Sequence, residues 1–241
     1  MKTVIKYASF SLAGIGKINE DALGFQVLEN GASIALIADG VGGNYGGKIA
    51  STLAVKVVLD TMISDPATAL GKAFSDASEA LKKRGAEDLI SGQMATTLSL
   101  CLIDIHGRVS IAHVGDSRIY HLREKGIIQK TKDQTEVAAL IEAGILTNEQ
   151  AKTYPRRTVL RSALAAKGTY QIFKDEFNLE KGDRILLLTD GVYRLVTKMK
   201  LRDLSLRSAT IEIFLNDLKA EILESNDDDA TLILIEATQE N

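Results

Sequence analysis

The residues best suited to chemistry in this chain are acids placed where short apolar runs stop. Residues 34–38 lead into Asp39-Gly40, residues 185–189 into Asp190-Gly191, and residues 111–114 into Gly115-Asp116. Asn19-Glu20-Asp21 comes just before one apolar run, and Asp227-Asp228-Asp229 just before the last. An aspartate at a strand end is held by stiff backbone and can aim into a shared cleft. A following glycine lets the chain turn sharply and leaves its carbonyl open as another oxygen donor. Gathering such carboxylates in one place is strongly repulsive unless a cation joins them. All-oxygen donors favour hard ions, Mg²⁺ or Mn²⁺. His106, His113 and His121 show no zinc-ligand spacing. Asp-Gly is also an ordinary turn dipeptide, so any one of these pairs alone has a purely structural reading.

The elements that must position these acids are legible as short runs rich in Ile, Val and Leu. Strands are expected at 4–10, 23–27, 34–38, 97–103, 109–114, 118–122, 170–177, 185–189 and 231–235. Helical periodicity marks 47–63, 67–81, 136–143 and 210–223, with a short helix at 147–152. Strands cluster with few helices between them, and the long helices fall as a pair after the third strand and singly near the end. That order excludes strict βαβα winding and predicts an α+β fold of packed antiparallel sheets with helices outside.

Composition narrows the class further. The 241 residues are 45% hydrophobic and 25% charged, enough for one sizeable core. Lys+Arg number 29 and Asp+Glu 32, a net charge of −3 that points to neither nucleic acid nor an anionic membrane. The single cysteine, Cys101, lies in an apolar run and reads as core; a chain with one cysteine suits a reducing cytoplasm. No apolar run is long enough to span a bilayer, and the N-terminal residues read as a strand, since Lys6 interrupts any signal-like stretch.

Taken together, several segments resemble the PPM family, the type 2C metal-dependent serine/threonine protein phosphatases, bacterial type. In order they are Asn19-Glu20-Asp21-Ala22; Asp39-Gly40-Val41-Gly42-Gly43 with Ala50-Ser51; Ala95-Thr96-Thr97-Leu98; and Ala112-His113-Val114-Gly115-Asp116-Ser117-Arg118-Ile119-Tyr120. A stretch from Thr131-Lys132-Asp133 through Pro155-Arg156-Arg157 resembles the flap of bacterial members. Leu188-Thr189-Asp190-Gly191-Val192 and Asp228-Asp229-Ala230-Thr231 close the series. The order of these segments over nearly the whole chain is specific, although each alone is modest.

The resemblance implies one catalytic domain over 1–241, with a flap at about 131–168, built as a β-sandwich of two antiparallel sheets between helices (a four-layer αββα arrangement) with a metal cleft at one end. It implies that Asp39 bridges two Mg²⁺ or Mn²⁺ ions, that the Gly40 carbonyl and Glu20 hold one of them, and that Asp190 and Asp228 complete the shell of the other. Asp116 with Asp190 would hold a third ion, while Asp21 and Asp229 would orient ligands from behind. A hydroxide bridging the two ions would then attack phosphorus directly. The implied partner is a phosphorylated protein, with a cognate Ser/Thr kinase supplying it, and the implied state a cytoplasmic signalling monomer.

The chain departs from the family pattern in places. Many relatives place a phosphate-binding arginine three residues before the Asn-Glu-Asp triplet; here that residue is Gly16, and Lys17, the nearest cation, is taken as the phosphate contact, a point charge rather than a fork. Asn44 and Gln134 stand where bacterial members often have histidine. Two other readings stay open. Gly42 to Lys48 fits a nucleotide-binding G-x-x-x-x-G-K loop, although Ile49 replaces the Ser or Thr that such a loop needs. The missing arginine also leaves room for a catalytically impaired phosphoprotein-binding module. A cysteine-dependent phosphatase is excluded, because Cys101 and Arg108 enclose six residues rather than five.

Overall fold

Strands β3 (Ser33–Ala38) and β12 (Arg184–Leu188) are buried at every position because both of their faces are covered. The structure, a computed structural model, describes residues 3–41, 46–65, 69–87, 94–223, 225 and 227–239. One antiparallel sheet of five strands has the order β1 (Thr3–Leu12), β13 (Ala230–Gln239), β12, β8 (Arg118–Arg123), β9 (Gly126–Gln129). A second runs β11 (Phe173–Asn178), β7 (Arg108–Val114), β6 (Leu98–Ile103), β3, β2 (Ala22–Val27). A small third sheet joins β10 (Leu164–Ala165), β5 (Ala95–Thr96) and β4 (Gly40–Val41).

The side-chain alternation of each strand assigns its two faces. Ala35 and Ile37 of β3 and Cys101 of β6 meet Ile185, Leu187, Ile233 and Ile235 of the opposite sheet, forming the layer between sheets. Burial there pushes the Cys101 thiol up in pKa, as suits an inert core residue. The alternate residues Ile34, Leu36 and Leu100 pack under α1 (Gly46–Ser64) and α2 (Leu70–Gly85). Leu186, Leu188 and Leu234 pack under α6 (Lys198–Arg207) and α7 (Ile211–Leu223), where Phe214 and Leu218 are fully buried. The result is the expected α+β arrangement of two antiparallel sheets between helices.

Register decides where the strand ends lie. Ala22 pairs with Ala38 and Leu98 with Val114, so β2, β3, β6 and β7 open onto one edge of their sheet. In the other sheet Leu12 pairs with Ala230 and Leu188 with both Leu232 and Arg118, again one edge.

Several elements differ from the sequence reading. The C-terminal helices form a pair, because α6 precedes α7; its stretch of Lys, Arg and Asp hides a stripe in which only Leu201 and Leu204 are buried. β9 pairs back onto β8 across Glu124-Lys125, and Glu124 takes the left-handed φ of 48° that this tight turn requires. The two-residue strands β4, β5 and β10 are too short to leave a periodic signal. The start of the expected 67–81 helix, including Ala67, lies outside the described residues, and α2 runs from Leu70 to Gly85. α3 (Glu136–Glu142) and α4 (Asn148–Lys152) match the 136–143 and 147–152 readings.

His113 on β7 is fully buried and has its tautomer dictated by its neighbours. Its Nε2 faces the carbonyls of Gly115 at 2.9 Å and Lys132 at 3.2 Å, so that nitrogen donates, while Nδ1 accepts from Ser99 Oγ at 2.8 Å. Burial lowers its pKa to about 4, against the opposing pull of Asp133 and the two carbonyls. The unfolded chain takes up this proton near pH 6.5 and the folded chain does not. Stability from this group is therefore complete above about 6.5 and falls as pH drops toward about 4, by up to about 3 kcal/mol. Urea denaturation of wild type and His113→Gln between pH 7 and pH 5 should show a steeper loss in wild type; parallel losses would refute the assignment.

Candidate active site

Asp39 leaves β3 under close backbone control. Its N–H donates to Thr97 Oγ1 at 2.9 Å, and its carbonyl accepts from Thr97 N and from Thr96 Oγ1, each at 2.9 Å. Thr97 Oγ1 is hydrogen-bonded in turn to Ser117 Oγ at 2.8 Å, which ties this loop to the one after β7. The next residue has to be glycine: a Cβ on Gly40 would stand 2.3 Å from the Gly47 carbonyl oxygen and 2.6 Å from that of Glu20. Gly47, at the start of α1, packs equally tightly against Gly40 and Glu20 Oε1.

Asp190 opens α5 (Asp190–Tyr193) directly after β12. Thr189 occupies the N-cap position without capping; its Oγ1 donates instead to Asp21 Oδ2 at 2.9 Å, joining the end of β12 to the start of β2 in the other sheet. Asp229 makes a second junction, accepting from Gly14 N at 2.9 Å and from Glu20 N at 2.7 Å. Ser51 of α1 donates to the Glu20 carbonyl at 2.5 Å, and Lys48 to the Asp21 carbonyl at 2.9 Å. Glu20 is therefore held through its backbone at both its N–H and its carbonyl, while its buried Oε1 has no hydrogen-bond partner.

These connections bring Lys17, Ile18, Glu20, Asp39, Gly40, Asp190, Asp228 and Asp229 onto one pocket of about 370 Å³. Asp21 and Asp116 lie outside its lining: Asp21 behind it on Thr189, and Asp116 buried, with its Oδ2 3.4 Å from the Tyr193 hydroxyl. Lys17 points at Asp228 Oδ1, 3.2 Å away, and half of its side chain is exposed.

The electrostatics are those of an acidic site short of positive charge. Burial raises the Asp39 carboxyl well above the carboxylate range, and the charges of Asp21, Asp190, Asp116 and Asp228 add to that. Asp21 is pushed up to about 7, mainly by burial, although Thr231 and Thr189 oppose it with hydrogen bonds. Asp116 is raised to about 7 by burial and by Asp190 and Asp133. Asp190 is raised by burial, with Arg194 pulling the other way. As the side chains stand, no three acidic, histidine or cysteine groups among the described residues enclose an ion position. The donor set nevertheless suits a hard divalent cation: every donor is oxygen, burial and then mutual repulsion raise the proton affinity of the carboxyls, and Glu20 Oε1 is buried with no partner.

Residues 13–229 match the model of the family described as Protein phosphatase 2C. The chain belongs to that family. It is a protein serine/threonine phosphatase, similar to Protein phosphatase PhpP of Streptococcus pneumoniae (31% identical, covering 77% of this chain and 78% of that one). The Serine/threonine phosphatase stp of Listeria monocytogenes serotype 4b is 26% identical over 90% of both chains. Among solved structures, the Mycobacterium tuberculosis serine/threonine phosphatase PstP/Ppp superposes with a TM-score of 0.87 at 26% identity, covering 98% of this chain and 99% of that one. A structure of the PstP catalytic domain in complex with two manganese ions gives 0.81 at 25% identity, covering 98% and 100%.

Membership of the phosphatase 2C family sets aside the nucleotide-loop reading. Gly42, Gly43, Asn44 and Tyr45 lie outside the described residues, while Lys48 is committed to the Asp21 carbonyl. Gln134 replaces histidine without leaving a gap: its Oε1 accepts from Gly115 N at 2.9 Å and its Nε2 donates to the Gln171 carbonyl at 2.9 Å. The sequence reading missed Arg194, which pairs with Asp190 Oδ2 at 2.5 Å and Asp228 Oδ2 at 3.1 Å. Its spacing of four from Asp190 was the available signal, because four residues make one helical turn. The reading also missed Arg118, whose guanidinium forks onto Asp133 and lies 3.7 Å over the Tyr193 ring.

The Asp229 clamp yields a test that does not depend on metal. Asp229→Ala strands two backbone N–H groups, that of Gly14 buried and that of Glu20 part-buried, and should cost roughly 1–3 kcal/mol in urea denaturation with EDTA present. A loss within about 0.5 kcal/mol, the range of ordinary surface changes, would show that Asp229 is no clamp.

Proposed function

We propose that this pocket hydrolyses phosphoserine and phosphothreonine in proteins with two Mg²⁺ or Mn²⁺ ions, held by Glu20, Asp39, the Gly40 carbonyl, Asp190 and Asp228. One observation carries the reading: Asp39 and Asp190 arrive from opposite sheets onto one pocket, with raised proton affinity, beside a Glu20 oxygen that has no partner. The relative solved with two manganese ions supports the number of ions. When bound, such ions supply Lewis-acid chemistry, offsetting charge on phosphoryl oxygens and lowering the pKa of water.

The chain's own residues do the positioning. Thr96 and Thr97 fix the Asp39 backbone, Asp229 holds Glu20, and Asp21 links the two halves through Thr189. Lys17 offers a positive point charge at the pocket wall. Asp116, buried near Asp190, is the residue that would share a third ion with it. The same reading takes 1–241 as one catalytic domain, supported by the pairing of β1 with β13, which joins the two ends of the chain. It takes 131–168 as a flap, supported by α3 and α4, neither of which buries a residue. It places a monomer in the cytoplasm, acting in signalling opposite a Ser/Thr kinase; the single buried, unpaired cysteine suits that compartment.

With Mn²⁺ the purified protein should release phosphate from a phosphothreonine peptide and from p-nitrophenyl phosphate, and EDTA should abolish both activities. Asp39→Asn and Asp190→Asn should each lower kcat by about 10³-fold or more, the scale on which a central electrostatic group is lost. If wild type with Mn²⁺ is no faster than Asp39→Asn, the assignment is wrong.

A further inference from the structure

A phosphomonoester carries close to two negative charges and must enter a pocket walled by Glu20, Asp39, Asp190, Asp228 and Asp229. Beside bound metal ions, cations of the chain at the wall can also meet that charge. Gly16 contributes none, and its backbone explains why. Lys17 N donates to the Gly14 carbonyl at 2.9 Å, closing a tight turn in which Gly16 sits at φ 73°, a left-handed conformation that arginine adopts only with strain. Among the described residues, Lys17 and Arg194 are the cations paired with carboxylates of this pocket. They take opposite oxygens of Asp228, with Lys17 Nζ 3.2 Å from Oδ1 and Arg194 Nη1 3.1 Å from Oδ2.

The two cations differ in how firmly they are placed. Arg194 N donates to the Asp190 carbonyl at 2.9 Å, so one helical turn carries both the Asp190 carboxylate and the guanidinium. Nη2 lies 2.5 Å from Asp190 Oδ2, and 39% of the side chain is still exposed. Lys17 stands on the exposed turn and is half-exposed. A guanidinium presents a planar fork that matches two phosphoryl oxygens at once, whereas an ammonium offers a point charge.

We propose that Arg194 is the residue that grips the substrate's phosphoryl oxygens in this chain, with Lys17 as a flanking charge. The proposal rests on the phosphatase reading of the pocket. Asp190 and Asp228, once their charge is met by bound cations, no longer require the guanidinium, and its N–H groups then face the incoming anion. The fork enters from the segment after β12 and not from position 16 of the Gly14–Lys17 turn, where the left-handed backbone would strain an arginine.

The experiment compares Mn²⁺-loaded wild type with Arg194→Ala, Arg194→Lys and Lys17→Ala, using thermal melts to confirm folding. Inorganic phosphate binding is measured by calorimetry, Mn²⁺ affinity by electron paramagnetic resonance, and KM and kcat with p-nitrophenyl phosphate. Arg194→Ala should weaken phosphate binding and raise KM by about tenfold or more, with a smaller fall in kcat and no loss of Mn²⁺ affinity. Arg194→Lys should recover part of the loss, and Lys17→Ala should raise KM by only a few fold. Unchanged phosphate affinity and KM in Arg194→Ala would overturn the proposal, as would a fall in Mn²⁺ affinity large enough to account for the whole effect. Wild type that binds phosphate through Arg194 yet releases none from substrate would leave this proposal standing and overturn the phosphatase reading instead.

Discussion

Five acidic side chains lie along one wall of a pocket of about 370 Å³, and two more, Asp21 and Asp116, are buried close behind. Their mutual repulsion and lost hydration are the constraint around which this end of the molecule is organised. Buried carboxylates become tolerable by taking up protons, by accepting hydrogen bonds or by pairing with cations, and all three solutions are present. Asp39, Asp21 and Asp116 are raised in pKa. Asp229 and Asp21 accept from backbone N–H and hydroxyl groups, and Asp190 and Asp228 lean on Arg194.

The sandwich makes that crowding possible. The two five-stranded sheets pack on each other inside and against a helix layer outside, which anchors the strands that end at the pocket. Close backbone approach there leaves no room for side chains at Gly40, Gly47 or Gly191, where an added Cβ would meet backbone or carboxylate oxygens within 2.3, 2.8 and 2.1 Å. The hydroxyls of Thr97, Ser117, Thr189 and Ser51 hydrogen-bond between segments distant in sequence, and that of Thr231 bonds across the strand pair to Ser11. A scaffold of this kind fixes carboxylates within a narrow tolerance, as a hydrolytic site requires.

Much of this was legible in the chain itself. The longer strands are apolar without interruption or alternate regularly, and the acids that follow them sit beside glycine, so both the α+β class and the acidic edge could be read directly. The two-residue strands, the hairpin return of β9 and the charged helix α6 could not. Their residues carry weak periodic signals, and they hold their shapes through partners distant in sequence. Arg194 was hidden for a related reason: an arginine four residues after an aspartate is common on any helix, and its meaning here comes from Asp228, brought beside it from 34 residues away.

By itself, then, the sequence determined the kinds of donor in the pocket, their order along the chain and the glycines that let the backbone turn beside them, because those properties belong to residues and their immediate neighbours. Tertiary structure alone decided which acids share the pocket wall, that Asp21 and Asp229 act as staples between segments, and that the guanidinium comes from Arg194 and not from the Gly14–Lys17 turn. Those outcomes follow from the register of two antiparallel sheets, which brings Gly14 and Asp229, 215 positions apart, within hydrogen-bonding distance. No local feature of the chain encodes such a separation.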